Sequence, residues 1–297
     1  MKVSRRDFLR LVTASSAALA LDPLDLFRLR EALANPGGPT ILWLQGSGCT
    51  GCSISFLNYI STAAPADPAD VLIETVDLAY HPNLMAAAGE SAVAVAHSVA
   101  AKGGYILAVE GGIPTAFGGA ACWAWSEGGR DVTFLEATRE LAARAAVILS
   151  IGTCAAYGGV SAAAPNPTGV MGVGAALGKS TLNIPGCPPH PDWIVWAIAK
   201  LLTGSVGALD SNGRPAALFS KTVHEQCPRR GTSPAGTYGV DGHCLKTLGC
   251  KGPRTKATCP ISLWNGRTNW CVDANGLCIA CTEPTFPFTS VRRDADA

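Results

Sequence analysis

The chain lacks a strong charge of either sign. Its formal net charge is +1 over 297 residues, so no bulk field favours nucleic acid or an acidic partner. It also lacks a long apolar run beyond its N-terminal region. The longest, Ala145–Leu149 and Trp193–Ala199, fall short of the ~18 residues a membrane span needs. They read as a buried strand and a buried helix. Residues 290–297 are polar and charged, so no tail anchor is expected. Phosphate-binding signatures are missing: there is no Walker A loop and no strand-anchored G-x-G-x-x-G, of which Gly46-Ser47-Gly48 is only a fragment. No Ser/His/Asp set and no paired carboxylates stand out, which leaves no case for a hydrolase. Internal repeats are absent, and low complexity is confined to Ala-rich stretches.

What the chain has is cysteine. Of its 12 cysteines, seven fall with His224 between residues 224 and 281: Cys227, Cys244, Cys250, Cys259, Cys271, Cys278 and Cys281. Cys49, Cys52, Cys154 and Cys187 precede them, and only Cys122 is left over. Twelve potential ligands make three sets of four, the ligand count of three iron–sulfur clusters arranged as an electron path.

The first 34 residues read as an address. Ser4-Arg5-Arg6-Asp7-Phe8-Leu9-Arg10 is a twin-arginine signature, followed by the mostly apolar Leu11 to Leu21 and a small-residue cleavage site at Ala32-Leu33-Ala34. The twin-arginine route exports folded proteins, so clusters can be built before export. That answers the objection that an exported chain should spend its thiols on disulfides.

From Thr40 to about Thr203, strands alternate with helices. Strands are expected at Thr40–Gln45, Val71–Asp77, Tyr105–Glu110, Ala146–Ile151 and Leu182–Ile184. Helices are expected at Ser53–Thr62, Leu84–Ala101, Thr133–Ala145 and Pro191–Leu202, the last with Pro at its start. This alternation predicts an α/β fold, a doubly wound parallel sheet with helices on both faces. Cys49 follows the first strand, Cys154 the fourth and Cys187 the fifth. Ligands of open parallel sheets bind beyond the carboxyl ends of strands, so these loops can converge on one site. Gly204–Pro215 is a plausible boundary. Beyond it Gly, Pro and Cys replace apolar periodicity, and such a segment needs metal to hold it.

Each set has a rival reading. Cys49-Thr50-Gly51-Cys52 alone would suit a thioredoxin-like redox pair; Cys154 and Cys187 turn it toward a four-thiol cluster. His224, Cys227, Cys244 and Cys250 suit a cluster or zinc, with His243 a rival to His224. Cys259, Cys271, Cys278 and Cys281 form the third set; disulfides are the alternative, but seven cysteines cannot all pair among themselves. His81, His97 and His190 read as ordinary, His190 as a donor near Cys187. Arg229, Arg230, Lys246, Lys251, Arg254 and Lys256 read as a solvated rim.

These residues also form recognisable motifs. They are Gly48-Cys49-Thr50-Gly51-Cys52, Glu110-Gly111-Gly112-Ile113-Pro114, Gly152-Thr153-Cys154-Ala155 and Pro185-Gly186-Cys187-Pro188-Pro189 in the first part. His224-Glu225-Gln226-Cys227-Pro228, Gly249-Cys250-Lys251-Gly252-Pro253, Trp264-Asn265-Gly266, Asn269-Trp270 and Cys278-Ile279-Ala280-Cys281-x-Glu283-Pro284 follow. Through them nearly the whole mature chain resembles the small subunit of the exported nickel–iron hydrogenases.

The resemblance implies a signal peptide over 1–34, a flavodoxin-like domain over 35–205 and a small irregular cluster-binding domain over 206–297. It implies a proximal 4Fe–4S cluster on Cys49, Cys52, Cys154 and Cys187, and a distal one on His224, Cys227, Cys244 and Cys250. Cys259, Cys278 and Cys281 would hold the medial cluster. The nickel–iron site would lie in a separate large subunit, and electrons would pass to an external carrier such as a c-type cytochrome in the periplasm. Three departures matter. Cys271 stands where many members have Pro and a 3Fe–4S medial cluster; a fourth thiolate predicts three 4Fe–4S clusters, similar to the nickel–iron–selenium branch. Gly51 and Gly159 stand where oxygen-tolerant members add cysteines. The C-terminal membrane helix of quinone-linked members is missing. The alternative to this reading is a zinc- or disulfide-stapled exported binding protein with no redox role.

Overall fold

The computed structural model describes residues 39–62 and 65–287; the twin-arginine segment lies outside them. Five strands build one parallel sheet: β1 (Thr40–Gln45), β2 (Asp77–Tyr80), β3 (Ile106–Glu110), β6 (Val147–Ile151) and β7 (Leu182–Ile184). Their order is β2-β1-β3-β6-β7, the flavodoxin-like arrangement in which the chain reverses direction beside β1. Near-continuous apolar runs such as TILWLQ suit strands covered on both faces. Alternate residues face opposite ways. Ile41 and Trp43 join one core with Leu149, Ile184 and Trp193, while Leu42 and Leu44 join the other with Leu107, Ala96 and Leu141. Helices α1 (Gly51–Leu57) and α5 (Pro191–Leu202) cover the first face; α2 (Glu90–Lys102) and α3 (Phe134–Ala142) cover the second.

Two expectations from the sequence need correction. Val71–Asp77 is not a strand: Val71–Thr75 forms a π-helical turn, and β2 starts at Asp77. Asp67 caps the Asp70 N–H at 3.0 Å and Pro68 opens a short helix there, so capping overrides the β-branched composition. The second helix starts at Glu90, after Gly89 at φ +58, rather than at Leu84. The structure adds a hairpin of β4 (Trp123–Glu127) and β5 (Arg130–Thr133). Its signal is Gly128-Gly129, both at positive φ, as a two-residue hairpin turn requires.

The register sets up the site. Gln45, Glu110, Ile151 and Ile184 form one row across the sheet at the carboxyl ends of their strands. The loops leaving that row stay paired: Gly46 N–H donates to Glu110 O at 2.8 Å, and Gly152 N–H to Ile184 O at 2.9 Å.

Beyond residue 206 regular structure is sparse, with short helices such as α6 (Val223–Gln226) and α7 (Cys259–Ser262). Phe219, Val223, Leu245, Trp270 and Val272 pack into the core shared with α5, so this segment extends the sheet's first face. Arg214 pins it. Its buried guanidinium bonds Asp210 at 2.8 Å and Glu283 at 3.0 Å, and stacks near Phe219. Among the described residues no helix is long and apolar enough to cross a membrane.

Candidate metal centres

The first set sits on the row of strand ends. Thr50, at φ 66, turns the chain from β1 into α1, and Cys52 falls in the first turn of that helix. The Cys52 and Ser53 N–H groups both donate to Glu110 Oε1, at 3.0 and 3.2 Å. Glu110 Oε2 accepts the Trp43 indole N–H at 3.2 Å and the Ser53 hydroxyl. A carboxylate 1% exposed is thereby satisfied, and it fixes the backbone on which Cys52 stands. His81 completes the network. Its Nδ1 accepts the Asn83 N–H, so Nε2 carries the proton and donates to Ser53 Oγ at 3.1 Å. Burial pushes the His81 pKa down to about 4, which keeps the ring neutral.

The four sulfurs are neighbours. Burial pushes the Cys52 thiol well up, and Glu110, Cys154, Cys49 and Cys187 push the same way. Burial, then Cys154 and Cys49, raise Cys187 to about 11. Cys154 is also raised by burial, against hydrogen bonds from the Ser161 and Val160 N–H groups. Four such thiols cannot ionise together without a positive core, which iron in a cluster supplies. The cradle is cut to the sulfurs. A Cβ on Gly152 would lie 2.4 Å from Cys52 Sγ, and one on Gly159 would lie 2.9 Å from Cys154 Sγ. The residues present fit a four-thiolate cluster.

The third set follows the same chemistry. Burial, then Cys281 and Cys278, push Cys259 well up, opposed by the Trp264 side chain's hydrogen bond to its sulfur. Cys278 is raised to about 11 and Cys281 to about 12, burial leading in both. Cys271 is the exposed member; its thiol is also raised by the burial of its sulfur. Thr255 Oγ1 lies 3.2 Å from Cys278 Sγ.

The second set lines one pocket, with His224, Cys227, Cys244 and Cys250 around it and Trp270 among its walls. A capping box holds the turn that carries His224 and Cys227: Thr222 Oγ1 accepts the Glu225 N–H at 3.1 Å, and Glu225 Oε2 accepts the Thr222 N–H at 2.6 Å. Burial raises Cys227; the Arg229 N–H lowers it, and Cys250 and Cys244 raise it. His243 turns away and donates from Nδ1 to the Ser233 carbonyl at 3.0 Å.

The sets also touch one another. The Cys281 sulfur accepts the Cys187 N–H, and the Cys278 carbonyl accepts the N–H of Lys251, next to Cys250, at 2.8 Å. The third set therefore lies between the other two. Cys122 stands apart, packed against the opposite core. His97 pairs with Glu127 and Glu140. His190 caps α5 and donates to the Leu263 carbonyl rather than to a cysteine. Glu110, Thr153 and Trp264 lie within the motifs quoted above without a role of their own, and His81 reads there as ordinary; the structure brings all four to the sites. An acid ending the apolar run Ile106–Val109 is the available signal for Glu110.

Fold and site together define a flavodoxin-like protein with three thiol-rich centres in contact. Comparison with known proteins carries this further. Residues 49–201 match the family model of the NADH ubiquinone oxidoreductase 20 Kd subunit. Residues 219–292 match the model for the C-terminal part of the NiFe/NiFeSe hydrogenase small subunit. The periplasmic [NiFe] hydrogenase small subunit of Solidesulfovibrio fructosivorans is 41% identical, covering 96% of this chain and 90% of that protein. The periplasmic [NiFeSe] hydrogenase small subunit of Desulfomicrobium baculatum is 37% identical, covering 97% of each. A solved structure of recombinant [NiFeSe] hydrogenase from Desulfovibrio vulgaris Hildenborough superposes with a TM-score of 0.79 at 39% identity, covering 86% of this chain and 96% of that one. The chain belongs to the family of NiFe/NiFeSe hydrogenase small subunits.

Proposed function

We propose that this chain carries electrons between the nickel–iron site of a hydrogenase large subunit and an external redox partner. The observation that carries the reading is the contact between sets: the Cys187 N–H bonds the Cys281 sulfur, and the Lys251 N–H, next to Cys250, donates to the Cys278 carbonyl at 2.8 Å. When bound, three 4Fe–4S clusters would accept and release single electrons. Cys49, Cys52, Cys154 and Cys187 would hold the one facing the large subunit. Cys259, Cys271, Cys278 and Cys281 would hold the middle one, and His224, Cys227, Cys244 and Cys250 the one at the exit. The division at about residue 205 separates the sheet domain from the cluster-binding segment. Export would follow the twin-arginine route to the periplasm, where the carrier would be a protein such as a c-type cytochrome.

The chain's own residues prepare these places. Glu110 fixes the Cys52 turn, Gly152 and Gly159 leave room for sulfur, and N–H groups of Ser161, Val160 and Cys187 stabilise thiolates. The zinc-stapled alternative fits less well. Zinc draws four ligands into a tight tetrahedron, whereas a cluster spreads them over a larger core. Among the described residues no three His, Cys, Asp or Glu side chains close tightly enough to hold a single ion.

Iron and acid-labile sulfide in the purified heterodimer test the reading; about 12 irons per chain are expected for three 4Fe–4S clusters. Zinc in their place would overturn it. Cys271 tests the middle site. Oxidised wild type should give no full-intensity 3Fe–4S signal in electron paramagnetic resonance, and Cys271→Pro should create one.

A further inference from the structure

One buried hydroxyl joins the first thiol set to the third. Thr153 is 1% exposed. Its Oγ1 accepts the Gly186 N–H at 2.9 Å and donates to the Cys281 carbonyl. Its own N–H donates to the Gly186 carbonyl at 2.9 Å. Thr153 precedes Cys154, and Gly186 precedes Cys187, so both partners stand one residue from a first-set sulfur. Cys281 belongs to the third set, and its sulfur accepts the Cys187 N–H. Two routes therefore cross between the sets. One runs from the Cys187 backbone to the Cys281 sulfur, the other from the Cys154 backbone through the Thr153 hydroxyl to the Cys281 carbonyl.

The side chain is matched to this place. A hydroxyl offers one donor and two acceptor positions, and here the donor and one acceptor are used, each toward a different loop. Valine would fill the same volume and lose both bonds. Gly186 is packed too closely for any side chain. It sits at φ +154, and a Cβ there would lie 2.4 Å from Pro189 Cα. The Gly186 carbonyl and the Cys187 N–H share one peptide plane, so Thr153, holding Gly186 through that carbonyl and through its N–H, orients the Cys187 N–H.

We propose that Thr153 is a positioning residue for electron passage between the first and third sets. It presents the Cys187 N–H to the Cys281 sulfur and so sets both the coupling between the two sites and the potential of the middle one. Hydrogen bonds to cluster sulfurs tune potential, and supporting partners of metal ligands commonly change function 10–100-fold when removed. The inference rests on the cluster reading of both sets.

The test compares Thr153→Val and Thr153→Ser heterodimers with wild type. Iron and acid-labile sulfide are measured first; wild type without clusters would refute the cluster reading rather than the bridge. In loaded protein, T153V should lower acceptor-linked hydrogen oxidation roughly tenfold relative to hydrogen–water isotope exchange, which needs no external acceptor. The middle cluster's reduction potential should fall in T153V, and T153S should restore both values. A loaded T153V protein with an unchanged potential and an unchanged activity ratio would overturn the proposal. So would a T153V protein that assembles no clusters, because the role would then be structural only.

Discussion

Arg214 and Glu283 meet at 3.0 Å across 69 residues of chain, with 2% of the arginine side chain exposed. The same guanidinium holds Asp210, and Glu283 Oε1 also accepts the Lys256 N–H at 2.7 Å. One cation thus ties the segment after the sheet domain to the chain that carries Cys281. Replacing Arg214 with Met removes the cation and leaves two carboxylates unpaired. A loss of about 3–5 kcal/mol is expected, as for other broken buried pairs. Thermal unfolding of the complex measures it, and a melting temperature within a degree of wild type would contradict the clamp.

His81 gives the fold a pH dependence. Its folded pKa of about 4 lies below the ~6.5 of an unfolded histidine. The unfolded chain therefore binds the proton first as pH falls. Stability from this group is complete above about pH 6.5, declines as pH drops toward 4, and changes no further below that; the total is about 3 kcal/mol. His81→Gln should flatten that part of the profile. Apparent melting temperatures between pH 4 and 7 for the two proteins check it. Parallel profiles would mean that His81 is not the group responsible.

Gly152 offers a test of the cradle. At φ +89 and with Cys52 Sγ 2.4 Å from any added Cβ, Gly152→Ala must displace a sulfur. About four irons should be lost per chain while the other two sites stay loaded. Iron analysis with electron paramagnetic resonance resolves this, and a full complement in G152A would argue against the assigned cradle.

His224 tests the proposed exit end. Its replacement by Ala should slow electron delivery to an external acceptor, by roughly 10–100-fold on the usual scale for metal-site support. Isotope exchange between hydrogen and water should persist, because it needs no exit. Equal loss of both activities would place His224 elsewhere in the path.

The sheet is legible because its strands are short apolar runs closed by Gly or by a loop with Cys. Thr40–Gln45 and Leu182–Ile184 are readable to the residue on that basis. Val71–Thr75 is not, since its apolar composition is overruled by the Asp67 cap and Pro68 just before it. The cysteine-bearing loops can be assigned to one sheet edge from the order of strands alone. What joins them cannot. Glu110 reaches Cys52 across 58 positions and Thr153 reaches Cys281 across 128, and neither partnership leaves a periodic trace in the sequence.

The centre that lies between the others is built mostly from the end of the chain. Cys278 and Cys281 are the last cysteines of the sequence, yet the Cys278 carbonyl accepts from Lys251, beside Cys250, on one side, and the Cys281 sulfur from the Cys187 N–H on the other. Synthesis from the N-terminus therefore delivers both outer centres before the one that links them. On the proposed function, loss of the final stretch would not shorten the path from its tip; it would open a gap in the middle, between two separated ends.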